Sequence, residues 1–203
     1  MYPSRQLWRA AMVAFTLTFA ASAAGAQAAK GQAGKAKATT RSASFRVSAP
    51  DFVSKGRVDV THVFNGMGCT GQNISPALEW SNPPAGTKSY AVTMYDPDAP
   101  TGSGWWHWVM YNIPATTTSL PAGAGNGRNA PRGSAQGPTD FGSKGYGGPC
   151  PPVGDKPHHY HITVFALKVD KLDIPGNATS AFVGFNLNGN KLATARVTGL
   201  FAR

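Results

Sequence analysis

Glycine and proline interrupt this chain at short intervals, and this feature limits its fold more than any other. The 203 residues include 24 glycines and 16 prolines. Proline ends or kinks helices, and both residues are typical of turns. The sequence therefore predicts a mostly β protein with many turns and short strands rather than a helical bundle. Since 41% of the residues are hydrophobic, a chain of this length can bury one substantial core, which favours one main domain.

The N-terminal residues 1–26 have the organisation of a secretory signal peptide. Arg5 and Arg9 form a basic region, residues 10–23 are apolar, and residues 24–26 are small enough for cleavage. Cleavage after Ala28 is equally compatible with the sequence. The apolar stretch is short and alanine-rich for a bilayer span, so a retained membrane anchor is the less favoured alternative. The sequence predicts a secreted or periplasmic protein.

The formal net charge of +10 is concentrated near the N-terminus. Residues 1–46 contain seven basic and no acidic side chains, whereas from Val47 onward twelve basic side chains accompany nine acidic ones. Residues 27–44 have no large apolar side chain, which predicts a flexible basic linker before a domain of residues 45–203. Because no aromatic residue is interleaved with the lysines, a nucleic-acid partner is not expected. The linker predicts at most peripheral contact with a membrane.

Ionisable residues are concentrated in the segment of residues 90–114. Residues 90–95 and 105–113 have the composition of two strands, and the proline-rich loop between them carries Asp96 and Asp98. Strict alternation along the second strand predicts two faces. One face carries Trp105, His107, Val109 and Tyr111, and the other carries Trp106, Trp108 and Met110. A histidine among large apolar side chains is more often a core residue than a ligand, so the residues alone leave both roles open.

Residues 158–167 predict a further strand. Period two places His158, Tyr160 and Ile162 on one face and His159 and His161 on the opposite face. Three histidines of this strand therefore cannot converge on one site. Further along the chain, residues 178–188 predict a short helix that ends at the Asn-Gly-Asn of residues 188–190, and residues 192–201 predict a closing strand.

The only two cysteines, Cys69 and Cys150, both lie in glycine-rich turns. An exported protein enters an oxidising compartment in which the two thiols could pair. Sequence spacing alone does not show that their Cα atoms come within bonding range, so the disulfide stays open at this point.

Two separated motifs resemble the signatures of the phosphatidylethanolamine-binding protein family. The first is Asp-Pro-Asp-Ala-Pro at residues 96–100 followed by His107, and the second is Gly-Pro-Cys-Pro-Pro at residues 148–152 followed by His158 and Tyr160. Residues 73–80 add to the likeness, which is strongest to the bacterial Raf kinase inhibitor-like branch (YbhB/YbcL-like proteins). The resemblance covers roughly residues 45–203.

This resemblance implies an antiparallel β core with a second smaller sheet, one or two short helices, and a pocket for a small anion such as phosphate or a phospholipid headgroup. No cofactor is implied. The implied ligand-binding residues are Asp96, Asp98, Pro100, His107, Gly148, Cys150 through its backbone N–H, Pro152, His158 and Tyr160. Two departures from the family pattern stand out. His159 replaces an expected arginine and is not expected to affect the pocket, and residues 188–190 replace a helical, histidine-bearing segment, which leaves the C-terminal wall open.

The chemistry of these residues agrees with an anion pocket. Two imidazoles, a phenol and backbone N–H groups are donors for an oxyanion. We expect Asp96 and Asp98 to accept hydrogen bonds from the histidines and to raise the pKa of both imidazoles, so that the cationic form faces the anion. Apart from Lys156, the motifs lack lysine and arginine, which predicts weak and pH-dependent binding.

Two alternatives come from other functional classes. An enzyme is not predicted, because Asp96 and Asp98 lie too close on one loop to flank a scissile bond and no Gly-x-Ser-x-Gly motif is present. A zinc site formed by Asp96, His107 and His158 is chemically reasonable and would indicate a metal-dependent hydrolase. A protein-interaction role is the other alternative, since the resembled family includes kinase and protease inhibitors; for an exported protein, a protease target ranks above a kinase.

Overall fold

The computed structural model describes residues 43–54 and 56–203. The predicted signal peptide and all but the last two residues of the predicted linker lie outside the described residues. Within the described part, no helix has the length and hydrophobicity needed to cross a bilayer.

Twelve strands, one α-helix and two short 3-10 helices form the described fold. The strands are β1 Arg46–Ser48, β2 Val53–Ser54, β3 Arg57–Val58, β4 Asn65–Gly66, β5 Cys69–Thr70, β6 Leu78–Ser81, β7 Ser89–Asp96, β8 Trp105–Pro114, β9 Ser119–Leu120, β10 Ala135–Gln136, β11 His158–Leu167 and β12 Lys191–Phe201. The α-helix α1 comprises Ser180–Asn190, and the 3-10 helices comprise Val60–His62 and Ala124–Asn126.

A seven-stranded sheet with the order β10-β8-β7-β11-β12-β3-β2 forms the centre of the molecule. Its neighbouring strands are antiparallel except for β12 and β3, which are parallel. A second sheet has three strands in the order β1-β6-β9, and β4 pairs with β5 separately. The prediction of a mostly β fold with an antiparallel core and a second smaller sheet is therefore confirmed.

The large sheet is buried on both faces. On one face, Trp108 and Tyr160 form a core with Leu78 and Trp80, which belong to β6 of the smaller sheet. The second core contains Ala91, Val109, Leu167, Val183 and Leu187. Because α1 contributes only Val183 and Leu187 of that set, the helix covers this second face of the sheet with a narrow apolar stripe.

A β-bulge at His107 breaks the alternation predicted for β8. Met94 of β7 pairs with Trp108, but its neighbour Tyr95 pairs with Trp106, so His107 is an extra residue without a partner. Such a bulge turns a side chain away from the regular alternation. As a result, Trp108 packs in the first core, whereas Trp106 packs against the second core. The predicted grouping of Trp106 with Trp108 and of His107 with Val109 is wrong for this reason.

The helix α1 begins and ends two residues later than predicted. Thr179 caps its N-terminus by accepting a hydrogen bond from Phe182 N at 3.2 Å. The predicted break at residues 188–190 does not occur, because the side chains of Asn188 and Asn190 donate to the carbonyls four residues earlier at 3.0 and 2.9 Å. Gly184 allows the helix to approach β8, since a Cβ there would lie 3.0 Å from the Trp106 ring.

Candidate functional site

The ends of three central strands meet at one edge of the large sheet. Antiparallel pairing places Asp96, the last residue of β7, opposite Trp105, the first residue of β8. The β11 strand pairs with β7 on its other side, so its N-terminal residue His158 lies near the same edge. The two sequence motifs, which are about fifty residues apart along the chain, therefore come together because of strand pairing.

A cavity of about 310 Å³ lies at this edge. Seven of the nine predicted ligand-binding residues line it: Asp96, Pro100, His107, Cys150, Pro152, His158 and Tyr160. The lining also contains Met67, Ala99, Thr101, Trp105, Phe141, Pro151 and Arg203. Most of these walls are apolar or aromatic, so the few polar groups decide which ligand can enter.

Asp98 is one of the two predicted residues that do not line the cavity. Its Oδ2 accepts hydrogen bonds from the backbone N–H of His159 at 2.7 Å and from the His159 ring nitrogen Nδ1 at 2.8 Å. Asp98 therefore anchors the loop of residues 96–100 to β11 instead of facing a ligand. His159, which was expected to have no effect on the pocket, supports its rim indirectly.

Gly148 is the other predicted residue outside the cavity wall. Its N–H donates to Asn73 Oδ1 at 2.8 Å, and a Cβ at this position would lie 2.1 Å from the backbone oxygen of His62. Only glycine therefore fits this close approach of two backbone segments. The carbonyl of Gly148 faces His107, so Gly148 positions the site through its backbone.

His107 is almost completely buried and is held by backbone carbonyls. Its Nδ1 lies 2.8 Å from Gly147 O and 3.2 Å from Gly148 O. The ring packs edge-on against Tyr160 and Phe141, with centroid distances of 5.1 and 5.3 Å. Burial lowers the pKa of His107 to about 4, although the carbonyls and the carboxylate of Asp96 oppose this shift. The expected increase in its pKa is wrong, because carbonyls rather than carboxylates face Nδ1.

His158 lies between two carboxylates. Its Nδ1 is 2.8 Å from Asp96 Oδ2, and its Nε2 is 3.2 Å from Asp155 Oδ2. Burial disfavours the charged ring, but the hydrogen bonds and charges of Asp96 and Asp155 raise the pKa of His158 above its ordinary value. The expected increase therefore occurs at this histidine. Both of its N–H groups are already donated to carboxylates, however, so the cationic ring does not present a free N–H to a ligand.

Two residues of the cavity lining each carry a buried donor that makes no hydrogen bond of ordinary geometry. Three buried side-chain donors lack a hydrogen bond within residues 43–54 and 56–203, namely Trp80 Nε1, Trp105 Nε1 and Tyr160 Oη. Trp105 and Tyr160 both line the cavity. Burial, the charge of Asp96 and hydrogen bonding to its carboxylate raise the pKa of Tyr160, so its hydroxyl keeps its proton. The Tyr160 hydroxyl therefore lies close to Asp96, although the two groups are not in ordinary hydrogen-bond geometry.

The residues of the zinc alternative are engaged with other groups. The Nδ1 atoms of His158 and His107 contact Asp96 and backbone carbonyls, respectively. Among the residues that the structure describes, no group of three or more histidine, cysteine, aspartate or glutamate side chains is arranged to hold a metal ion.

Comparison with known proteins identifies the family. Residues 48–202 match the family described as phosphatidylethanolamine-binding protein. The chain belongs to this family. It is 52% identical to the UPF0098 protein YbcL of Escherichia coli over 165 residues, which cover 80% of this chain and 90% of YbcL. It is also 55% identical to the UPF0098 protein YbhB of Escherichia coli over 142 residues, or 70% of this chain and 89% of YbhB. The branch expected from the two motifs is confirmed.

A solved structure supports the same assignment. The crystal structure of Escherichia coli YbcL, described as a member of the mammalian PEBP family, superposes with a TM-score of 0.76 at 53% identity and covers 79% of this chain and 99% of YbcL. A more distant relative is the protein named "Putative lipoprotein LppC" of Mycobacterium tuberculosis, which is 35% identical over 133 residues, or 66% of this chain and 62% of LppC. Family membership supports a role as a binding protein.

A disulfide closes one side of this family member's cavity. The sulfurs of Cys69 and Cys150 are bonded, and their Cα atoms lie 6.0 Å apart. The bond ties the hairpin β4–β5, whose tip carries the exposed Met67, to the loop of residues 148–152. Met67 thereby becomes part of the cavity lining.

Arg203 forms the C-terminal wall, which the sequence left open. It follows β12, whose residue Phe201 pairs with His158, and its Nε donates to Pro151 O at 2.5 Å. This cation was not predicted, because Arg203 belongs to neither motif. Phe141 was not predicted either; it stacks on Phe64 at 4.5 Å and contacts Trp105 edge-on at 5.4 Å. Of Arg203, Phe141 and Trp105, only Trp105 could have been predicted near the cavity, since the alternation of its strand placed it on the same face as His107.

Proposed function

We propose that this protein is an exported, non-enzymatic binding protein whose cavity takes a phosphate group, either free or on a small molecule such as a phospholipid headgroup. Its family membership supports the binding role in general. The phosphate ligand is argued from the polar groups of the cavity.

The observation that carries the proposal is that two residues of the cavity wall, Trp105 and Tyr160, each hold a buried donor without a hydrogen bond of ordinary geometry. A buried donor without a partner costs about 1–3 kcal/mol. One tetrahedral oxyanion offers several acceptor oxygens and can satisfy both donors together. We assign the backbone N–H of Cys150 as a third donor, because Cys150 also lines the cavity.

The charges around the cavity suit an anion of low charge. Asp96 is buried, and the cationic ring of His158 compensates it at 2.8 Å. Arg203 adds a positive charge to the wall, and its side chain is held by the backbone oxygen of Pro151. The backbone oxygen of Gly148 holds His107. A volume of about 310 Å³ lies at the lower end of the range of about 300–1,000 Å³ for ligand pockets. A phosphate with a small substituent suits this space.

The polar groups of the lining do not form a nucleophile with a base. The Thr101 hydroxyl donates to Gly104 O at 2.5 Å, and Asp96 is occupied by His158 Nδ1 and the backbone N–H of Asp98, both at 2.8 Å. This arrangement supports binding rather than catalysis at the cavity.

Export is proposed from three features. The first 26 residues have signal-peptide character, the two cysteines are joined as in proteins of oxidising compartments, and the relative LppC carries the name "Putative lipoprotein". The alternative of a protease or kinase inhibitor stays a prediction that rests on the resemblance alone.

NMR titration of the protein with inorganic phosphate and phosphoethanolamine tests the proposal. The matched variants are Tyr160→Phe, which removes only the unpartnered hydroxyl, and Tyr111→Phe, which removes a hydroxyl on the other side of the sheet. Since a hydrogen bond to a charged group contributes about 1.5–3 kcal/mol, Tyr160→Phe should weaken phosphate binding by about tenfold or more. Tyr111→Phe should bind like the unaltered protein. Equal affinity of both variants, or no phosphate-induced shifts at residues of the cavity, would contradict the proposal.

A further inference from the structure

We propose that this protein has a second, separate site, in which His159 and His161 bind one divalent transition-metal ion through their Nε2 atoms. The two residues alternate along β11 and therefore lie on one face of the strand, opposite to the cavity residues His158 and Tyr160. Imidazole ligands bind Cu²⁺ more tightly than Ni²⁺ or Zn²⁺, so Cu²⁺ is the preferred ion. The site is independent of the anion cavity and of the function proposed for it.

Strand pairing holds the backbone of both histidines. His161 pairs with Tyr95 of β7 on one side and with Thr198 of β12 on the other, and His159 pairs with Leu200 of β12. Alternate residues of a strand lie about 6.6 Å apart along its axis. The two imidazoles are therefore side by side before any ion binds, and binding does not have to order the backbone that carries them.

Hydrogen bonds at Nδ1 leave the Nε2 atom of each ring available. His159 Nδ1 lies 2.8 Å from Asp98 Oδ2, and His161 Nδ1 lies 2.8 Å from Thr198 Oγ1. An ionised carboxylate only accepts, so Nδ1 of His159 carries the ring hydrogen, and a threonine hydroxyl can accept in the same way. Neither Nε2 atom makes a hydrogen bond with the residues that the structure describes. In a neutral ring with a protonated Nδ1, Nε2 has the lone pair that binds a metal.

The distance between the two rings fits one shared ion. Their centroids lie 6.1 Å apart, with an angle of 32° between the planes. A metal ion lies about 2.0–2.1 Å from an imidazole nitrogen and so about 3.2 Å from the ring centre, which allows two rings that share one ion to have centres up to about 6.4 Å apart. The side chain of His159 is 51% exposed, so it can rotate and bend the angle at the metal. Water completes the coordination of such a two-histidine site.

The charged groups on this face favour a bound cation at the pair. Histidines that bind metals typically donate their other N–H to a carboxylate, which orients the ring and increases its basicity. Asp98 has this position relative to His159, and it is itself held by the backbone N–H of His159 at 2.7 Å. Arg196 is a cation on the same face, but its Nε donates to Thr163 Oγ1 at 3.1 Å, two residues beyond His161. The carboxylate and the guanidinium therefore lie at opposite ends of the pair.

Calorimetric titration of the full chain, purified without a histidine tag, with Cu²⁺, Ni²⁺ and Zn²⁺ at pH 7.5 tests the site. We expect Cu²⁺ to bind most tightly. Loss of an outer carboxylate partner weakens metal binding by about 10–100-fold, so Asp98→Asn should cost about tenfold, and His159→Gln and His161→Gln should each cost about a hundredfold. Thr194→Ala is the control, because this exposed position lies further along β12, opposite Phe165. Its Cu²⁺ affinity should equal that of the unaltered protein.

Two measurements on the unaltered protein locate the ion without relying on a variant. Electron paramagnetic resonance of the Cu²⁺ complex should show coupling to two imidazole nitrogens. NMR with Zn²⁺ should shift the ring signals of His159 and His161 and leave those of His158 unchanged. Coupling to fewer than two imidazoles, Zn²⁺-induced shifts at His158, or full Cu²⁺ affinity in the double variant His159→Gln/His161→Gln would overturn the proposal. Each of these results would leave the anion cavity and its phosphate titration untouched.

Discussion

The two histidines of the cavity show how the same side chain acquires opposite properties over a short distance. His158 begins a regular strand and meets the carboxylates of Asp96 and Asp155, whereas His107 occupies a bulge and meets the carbonyls of Gly147 and Gly148. Both rings are almost fully buried. Full negative charges offset the desolvation of an imidazolium and carbonyl dipoles do not, so the pKa of His158 rises while that of His107 falls.

Because of this difference, the two histidines have different roles at the cavity. His158 donates to the buried carboxylate of Asp96, and Asp96 in turn accepts from the backbone N–H of Asp98. His158 therefore organises the loop of residues 96–100. His107 has no charged hydrogen-bond partner, and its Nε2 makes no hydrogen bond within the described residues. In this comparison the first histidine organises the structure, whereas the second has a ring nitrogen that the described residues do not use.

The largest expected effect comes from removing the charge that distinguishes His158. Asp96→Asn leaves a buried imidazolium with only the partly exposed Asp155 as its partner. Breaking a buried ion pair in this way costs about 3–5 kcal/mol, so we expect a loss of about 3 kcal/mol in the free energy of unfolding at pH 6. Urea denaturation measures it. Asp155→Asn is the control and should cost less than about 1 kcal/mol, because Asp155 is 39% exposed. Similar losses for both variants would show that the buried contact of Asp96 with His158 stabilises the fold no more than the more exposed contact of Asp155.

The free energy of unfolding should depend on pH through the titration of both histidines. The pKa of folded His107 is about 4, below its ordinary value of 6.5, so only the unfolded state gains this proton between those values. The contribution of His107 to the free energy of unfolding is therefore complete above pH 6.5 and decreases as the pH falls towards 4. Each pKa unit corresponds to 1.36 kcal/mol, which gives a total of about 3 kcal/mol.

His158 should produce the opposite trend. Its pKa is raised in the folded state, so its contribution is complete below pH 6.5 and is lost as the pH rises through the folded value. Urea denaturation from pH 4 to 9 should therefore show maximum stability near neutral pH. In His107→Gln the decrease on the acidic side should become shallower, and the decrease on the alkaline side should remain. An unchanged acidic side would contradict the assignment to His107.

Much of this site could be predicted from the sequence because its parts lie on regular strands. Alternation along β11 placed His158 and Tyr160 on one face and His159 on the other, as the structure has them. The two motifs also suggested a shared cavity, and strand pairing at one edge of the sheet brings them together. These features follow from side-chain period and pairing, which the residue types largely determine.

The properties of His107 could not be predicted in the same way. An extra residue in a strand shifts the register, but the composition of residues 105–113 gives no sign of it. The groups that hold the ring are backbone carbonyls, which every residue has, so no side chain identifies them in advance. Arg203 and Met67 were missed for a related reason. Their positions depend on where β12 ends and on the link between Cys69 and Cys150.

The carbonyl support of His107 can be disturbed at a single glycine. Gly148→Ala would place a Cβ 2.1 Å from the backbone oxygen of His62, so one of the two backbones must move. Such overpacking costs about 1–3 kcal/mol, and we expect a loss of about 2 kcal/mol in the free energy of unfolding. Gly176→Ala is the control, because no heavy atom lies within 4 Å of the added carbon. If the two variants were equally stable in urea, the close approach at Gly148 would not matter.

The smallest effect is expected at His159, which lies next to His158 but on the exposed face. Its ring and the Asp98 carboxylate are 51% and 40% exposed, and Asp98 also accepts from the backbone N–H of His159. His159→Ala removes only the ring contact, and an exposed ion pair contributes about 0.2–1 kcal/mol, so we expect a loss of about 0.5 kcal/mol in the free energy of unfolding. Phosphate affinity should change by less than about twofold, since a change of 0.4 kcal/mol corresponds to this factor. A larger loss of affinity would mean that the ring of His159, and not only its backbone, holds the loop of residues 96–100 in place. His159 would then influence ligand binding through its side chain, although that side chain lies on the exposed face of β11.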